Sequence, residues 1–173
     1  MIRSVRVSAK LKKSNRLSAG GDGLILIAMA RVKIEMPDSF IFSTDIAVRI
    51  GDINYGGHVG HDSVLSITHE ARVRLFKSMG ASETDVFGGA IVLADAHLSY
   101  TNESFYGDTL NVKIARGEFS KSGLELFYLV SERRRGVEVA RVKTGIVFFD
   151  YEKRKAMRVP EEFRRLLLEM RPL

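Results

Sequence analysis

Asp52, Asn54, Gly56, Gly57, His58 and His61 stand in one loop, between an alternating apolar run and an apolar helix pattern. A carboxylate, an amide and an imidazole at such spacing can orient water, hold a carbonyl or move a proton. Gly56 and Gly57 allow backbone conformations that other residues avoid, and let a substrate come close. His58 is one of only four histidines, and Asp62 is of a type that caps the helix behind it. The segment reads as a site.

Two elements must hold that loop. Phe40, Phe42, Thr44, Ile46, Val48 and Ile50 share one face of an alternating run, with Ser43, Asp45 and Arg49 on the other, which predicts a half-buried strand over 40–50. A helix capped by Asp62 is expected to run to about Met79, with Gly80 as its stop. Val64, Ile67, Ala71, Leu75 and Met79 form one stripe, which Leu65, Thr68 and Phe76 widen beyond that of an ordinary surface helix. Four strand-like segments follow, at 90–100, 109–119, 124–133 and 137–150, punctuated by Gly107-Asp108, Ser122-Gly123 and Gly136. Short turns make neighbouring strands antiparallel. Gly145 inside the last strand marks a bulge or a close backbone approach. Pro160, Glu161 and Glu162 open a short terminal helix. About five strands against one apolar helix is an α+β arrangement with no repeat and no second folded domain.

The chain has 173 residues, 45% of them apolar, enough for a single core. It has no cysteine, which excludes thiol nucleophiles, disulfides and thiolate metal sites and is compatible with a reducing compartment. The net charge of +6 is local, since residues 1–35 carry eight basic and two acidic side chains and the remainder balances. A nucleic-acid-binding body would show its own basic stripe, and this body has none. No apolar run reaches the roughly 18 residues that span a bilayer. Residues 1–36 form a basic arm before a domain at 37–173. The first 21 residues hold six basic residues, four serines and no acid, which fits a disordered tail, an upstream extension or an organellar targeting segment.

Residues 52–61 read Asp-Ile-Asn-Tyr-Gly-Gly-His-Val-Gly-His, and Glu70-Ala71-Arg72 follows on the helix. With Tyr106-Gly107-Asp108 before a strand, the chain resembles the hotdog-fold acyl-CoA thioesterases, in particular the 4-hydroxybenzoyl-CoA thioesterase-like branch, over about residues 38–150. The resemblance implies a curved antiparallel sheet around a central helix and hydrolysis of acyl-CoA without a cofactor or metal. It also implies a homodimer or homotetramer. The expected compartment is the cytoplasm, or an organelle matrix should the arm be a transit peptide. Two positions depart from the family loop, commonly Asp-x-Asp-x-x-Gly-His-Val-x-Asn. Its second acid is Asn54 here, and its final Asn is His61. An amide neither ionises near neutrality nor attacks a carbonyl, so that acid's role does not transfer.

Thioester hydrolysis needs an attacking water or carboxylate and donors for the developing oxyanion, which a helix N-terminus supplies. The candidates are therefore Glu70 and Asp52 as bases or water-orienters, His58 and Asn54 as positioning groups, and Gly57, Gly60 and His61 around the oxyanion. Each has a plainer reading. Glu70 can pair with Arg74 one turn on, Asp52 can accept turn N–H groups, and His69 and His97 read as structural. Ser63 lacks a nucleophile elbow, and His58, His61 and Asp62 lack a further ligand for zinc. Two other activities share the fold: hydration or dehydration of acyl thioesters, whose usual His-Phe-Pro-like signature is absent, and acyl-CoA binding without catalysis.

Overall fold

The structure, a computed structural model, describes residues 33–173. The basic arm therefore lies outside the described residues except for its last four positions, of which Ile34 is buried and accepts a hydrogen bond from Arg141. The elements are β1 (Phe42–Ala47), a 3-10 turn (Ile50–Asp52), α1 (His61–Ser78), β2 (Ala90–Tyr100), β3 (Thr109–Phe119), β4 (Gly123–Glu132), β5 (Glu138–Asp150), β6 (Lys155–Ala156) and α2 (Glu161–Glu169). The strands make one antiparallel sheet in the order β1-β3-β4-β5-β2, with β6 added to β5. This sheet around a central helix is the hotdog arrangement. Its sixth strand has only two residues, too few for any alternation to announce it.

The core is where the two periodicities meet. Val64, Ile67, Ala71, Leu75 and Phe76 of α1 are buried with Leu110, Val112 and Ile114 of β3, and with Leu126, Tyr128 and Val130 of β4. Each large apolar side chain removed from water there stabilises the fold by about 1.5–3 kcal/mol, far more than helix propensity contributes to α1. On β2 the register steps from Leu93–Ile146 to Asp95–Gly145. Gly145 therefore sits at a bulge, where a Cβ would meet the Asp95 carboxylate at 2.8 Å.

Two expectations at the site-bearing end need correction. The first strand stops at Ala47 rather than Ile50, and Ile50 is 73% exposed. The Val48 N–H still bonds the Asp108 carbonyl, in register with the β1–β3 ladder, but the Arg49 N–H turns to the Asp52 carboxylate at 2.7 Å. That local side-chain bond turns the chain before the strand can continue. The helix starts at His61, with Gly60 in the capping position and no side-chain cap, so Asp62 is its second residue. Asp62 folds back over Gly60, where a Cβ would meet its Oδ1 at 2.5 Å. It still lies in the first turn, where a carboxylate suits the helix dipole.

The terminal helix closes the far end of the core. Phe163 is fully buried, edge-on to Phe76 (centroids 5.7 Å apart) and tilted against Phe148 (5.2 Å). Phe163→Ala is expected to lower the unfolding free energy by about 3–5 kcal/mol in urea titration. A loss below about 1 kcal/mol would mean that α2 is not docked as described.

Candidate active site

The loop from Asp52 to Gly60 is closed by its own backbone. Gly60 N–H donates to the Asp52 carbonyl (2.8 Å), Asn54 N–H to His58 (2.9 Å), and Gly57 N–H to Asn54 (3.0 Å). The Asn54 side-chain oxygen accepts from the Gly56 N–H at 2.8 Å, an Asx turn of the kind Asn favours. Gly57 takes φ +79°, and a Cβ on Gly56 would meet His58 Nε2 at 2.9 Å. The twin glycines therefore let the chain turn and let the imidazole lie against the backbone.

Beside this loop is a cavity of about 340 Å³, lined by Asn54, His58, His61, Tyr100 and Glu103, with Val59, Val64 and Val139 as apolar wall. His58 Nδ1 lies 3.1 Å from the Val59 carbonyl. A carbonyl only accepts, so Nδ1 carries the hydrogen, and in the neutral ring Nε2 is the basic nitrogen. That Nε2 lies 3.8 Å from Glu103 Oε1. Tyr100 donates its hydroxyl to the His61 carbonyl at 3.0 Å. Burial first, then the Asp62 carboxylate, push the Tyr100 phenol above its ordinary pKa, so it stays a donor. The His61 N–H belongs to the first helical turn, whose N–H groups have no intrahelical acceptor.

The remaining candidates lie elsewhere. Asp52 and Glu70 line a smaller cavity of about 150 Å³ with Arg49, Ile46, Ala47, Ser66 and Ile67. Glu70 accepts from Arg74 Nε at 2.9 Å, and Arg74 also donates to Thr44 Oγ1 and to the Asp45 carbonyl. One Asp52 oxygen is engaged by the Arg49 N–H. The residues that the sequence placed in one site are thus divided between two cavities within a protomer. The N–H groups of Gly57 and Gly60 are both engaged inside the loop, whereas the His61 N–H stands in the first helical turn.

The sequence reading missed the second wall of the larger cavity, residues 100–104. Their signal was slight: a loop beside a Tyr-Gly-Asp step, with nothing in the spacing to connect Glu103 to His58. A buried acid network holds this wall. Val59 N–H donates to the Ser104 carbonyl at 2.8 Å, and Ser104 Oγ donates to Asp108 Oδ2 at 2.9 Å. Arg135 bridges Asp108 (3.2 Å) to Glu132 (3.1 Å), and Glu132 also accepts the Arg134 and Arg135 N–H groups. Those two backbone donors first, then the Arg135 side chain, hold the Glu132 pKa below the ordinary glutamate value against the opposing effect of desolvation. A lowered folded pKa gives stability that is present above the ordinary glutamate range and is lost as pH falls through the lowered value. Glu132→Gln is therefore expected to melt below wild type at about pH 7, with the gap closing as pH drops below about 4. A gap independent of pH would contradict this role.

The antiparallel sheet around a central helix, with a cavity at the helix N-terminus, defines the class as a hotdog protein. The thioesterase-like superfamily model matches residues 48–167, and the chain belongs to that family. Among solved structures it is similar to a 1,4-dihydroxy-2-naphthoyl-CoA thioesterase from Synechocystis, with 21% identity and a TM-score of 0.69 over 75% of this chain and 96% of that one. A DHNA-CoA thioesterase from Staphylococcus aureus aligns at 19% identity and TM-score 0.64, covering 72% of this chain and 84% of that one. A second S. aureus protein, solved in complex with CoA, aligns at 17% identity and TM-score 0.68, covering 81% and 91% respectively. At these identities the likeness is one of fold. No curated protein matches the sequence.

Proposed function

We propose that this protein hydrolyses acyl-CoA thioesters, releasing a carboxylic acid and CoA. One observation carries the reading: His58 and His61, the first residue of α1, line the same cavity. A thioester carbonyl seated there meets a preorganised donor for its oxyanion, a term whose loss costs roughly 10²–10³ in rate in other acyl-transfer enzymes. With its oxygen engaged by Gly56, Asn54 still has its NH₂ group to offer the substrate. Val59, Val64 and Val139 give the acyl group an apolar wall. CoA as the carrier is supported by the names of the Synechocystis and S. aureus relatives of the fold. Water is the only co-substrate this reaction needs.

Glu70 is left outside this chemistry, because it belongs to the other cavity and is held by Arg74. The test is thiol release from short, long and aromatic acyl-CoAs. Wild type is expected to release thiol from at least one of them, His58→Ala to lose about a hundredfold or more, and Glu70→Gln to lose less than about fivefold. Tight binding without thiol release would instead make this a non-catalytic acyl-CoA-binding protein. Water addition or loss across the acyl chain would make it a hydratase or dehydratase.

The working unit is read as a homodimer. β2 is an edge strand of eleven residues, with Leu93, Asp95 and His97 exposed along it. A long edge of unpaired backbone groups is what a second copy can extend. Sedimentation equilibrium at micromolar concentration is expected to give at least twice the mass of one chain, and a monomer would contradict this assembly.

A further inference from the structure

Glu103 lies outside every motif in the sequence, yet in the structure it is the carboxylate that approaches His58, Oε1 to Nε2 at 3.8 Å. Its side chain is 65% exposed, while its backbone carbonyl is tethered by Arg135 Nη2 at 3.5 Å. Its position is thus set by the same acid network that holds Ser104, with its carboxylate exposed at the cavity rim. The opposite face of the imidazole is fixed, because Nδ1–H is held by the Val59 carbonyl. Two acceptors, Nε2 and Oε1, therefore converge on one point of the cavity.

We propose that His58 Nε2 and Glu103 Oε1 form a two-acceptor seat for the attacking water, with Glu103 as a catalytic residue of the hydrolysis; this rests on the thioesterase reading above. A water oxygen about 2.8 Å from both acceptors sees them about 85° apart, and a swing of the carboxylate by about half an ångström opens this to the water's own angle. Catalytic hydrogen bonds are commonly long before substrate arrives. Each water hydrogen then points at an acceptor, and a lone pair is left for the carbonyl carbon.

The reaction balances without another reagent. The water oxygen attacks the thioester carbon, the π pair moves onto the carbonyl oxygen beside the His61 N–H, and the water proton passes to His58 Nε2. The intermediate collapses with cleavage of the C–S bond, whose electron pair leaves on sulfur, and the imidazolium returns its proton to the thiolate. Glu103 stays anionic throughout and stabilises the imidazolium. The other titratable groups around His58 leave that task to Glu103. Asp52 on the same loop is engaged by the Arg49 N–H, Asp62 on α1 acts on Tyr100, His61 carries no negative charge, and Arg135 is bound to Glu132 and Asp108.

The test uses the full chain and the acyl-CoA that wild type cleaves fastest. Glu103→Gln keeps size and shape and loses the charge. It is expected to lower kcat by about tenfold or more with KM within about threefold. Glu103→Asp should recover part of the rate, and both variants should melt as wild type does, since the side chain is mostly exposed. A Glu103→Gln enzyme of wild-type rate, or one whose loss lies in KM with kcat unchanged, overturns the seat while leaving the hydrolase reading intact. Failure of wild type to release any thiol overturns both.

Discussion

The hydrogen bond from the Val59 N–H to the Ser104 carbonyl joins the two loops between which the larger cavity lies. One loop carries Asn54 and His58 and leads into α1. The other carries Glu103 and continues from β2. Neither Val59 nor Ser104 is more than 7% exposed, so a broken bond would leave a buried donor unpaired at a cost of about 1–3 kcal/mol. Ser104 is in turn fixed by Asp108, and Asp108 by Arg135 and Glu132. A half-buried imidazole and an exposed carboxylate are thereby aimed by groups that are themselves buried, which is how a rigid scaffold gives loop residues definite geometry.

The division of candidate residues between two cavities follows from helix geometry. His61 and Glu70 are both on α1, but nine residues separate them, two and a half turns at 3.6 residues per turn, so they face different sides. Glu70 lies over the β1 edge, where Arg74 has already collected Thr44 and Asp45 as partners. His61 lies at the end that meets the loops. Substitution of the family's loop acid by Asn54 removes a charge from the cavity, and the carboxylate at the rim comes from Glu103 instead.

Much of the fold was legible in the sequence because the core is periodic. Leu110, Val112 and Ile114 alternate without exception and are all fully buried. The α1 stripe from Val64 to Leu75 is equally regular, and strands 90–100 and 109–119 match β2 and β3 in extent. The ends of elements were less legible, since short-range hydrogen bonds decide them: Asp52 bending the chain after β1, and Gly60 rather than Asp62 preceding α1. The loop motif located Asn54, His58 and His61 at one cavity, because residues so close in sequence have few places to go. Glu103 was invisible because its approach to His58 depends on long-range pairing of β2 with β5 and on the Arg135 tether, which no local pattern encodes.

The central claim is that the thioester binds where α1 begins, between His58 and Glu103. The most direct measurement is a crystal structure of the protein with a non-hydrolysable acyl-CoA analogue. The account predicts its acyl carbonyl oxygen within about 3 Å of the His61 N–H, with a water bonded to both His58 and Glu103. An analogue whose carbonyl sits against Glu70 and Asp52 instead would contradict it.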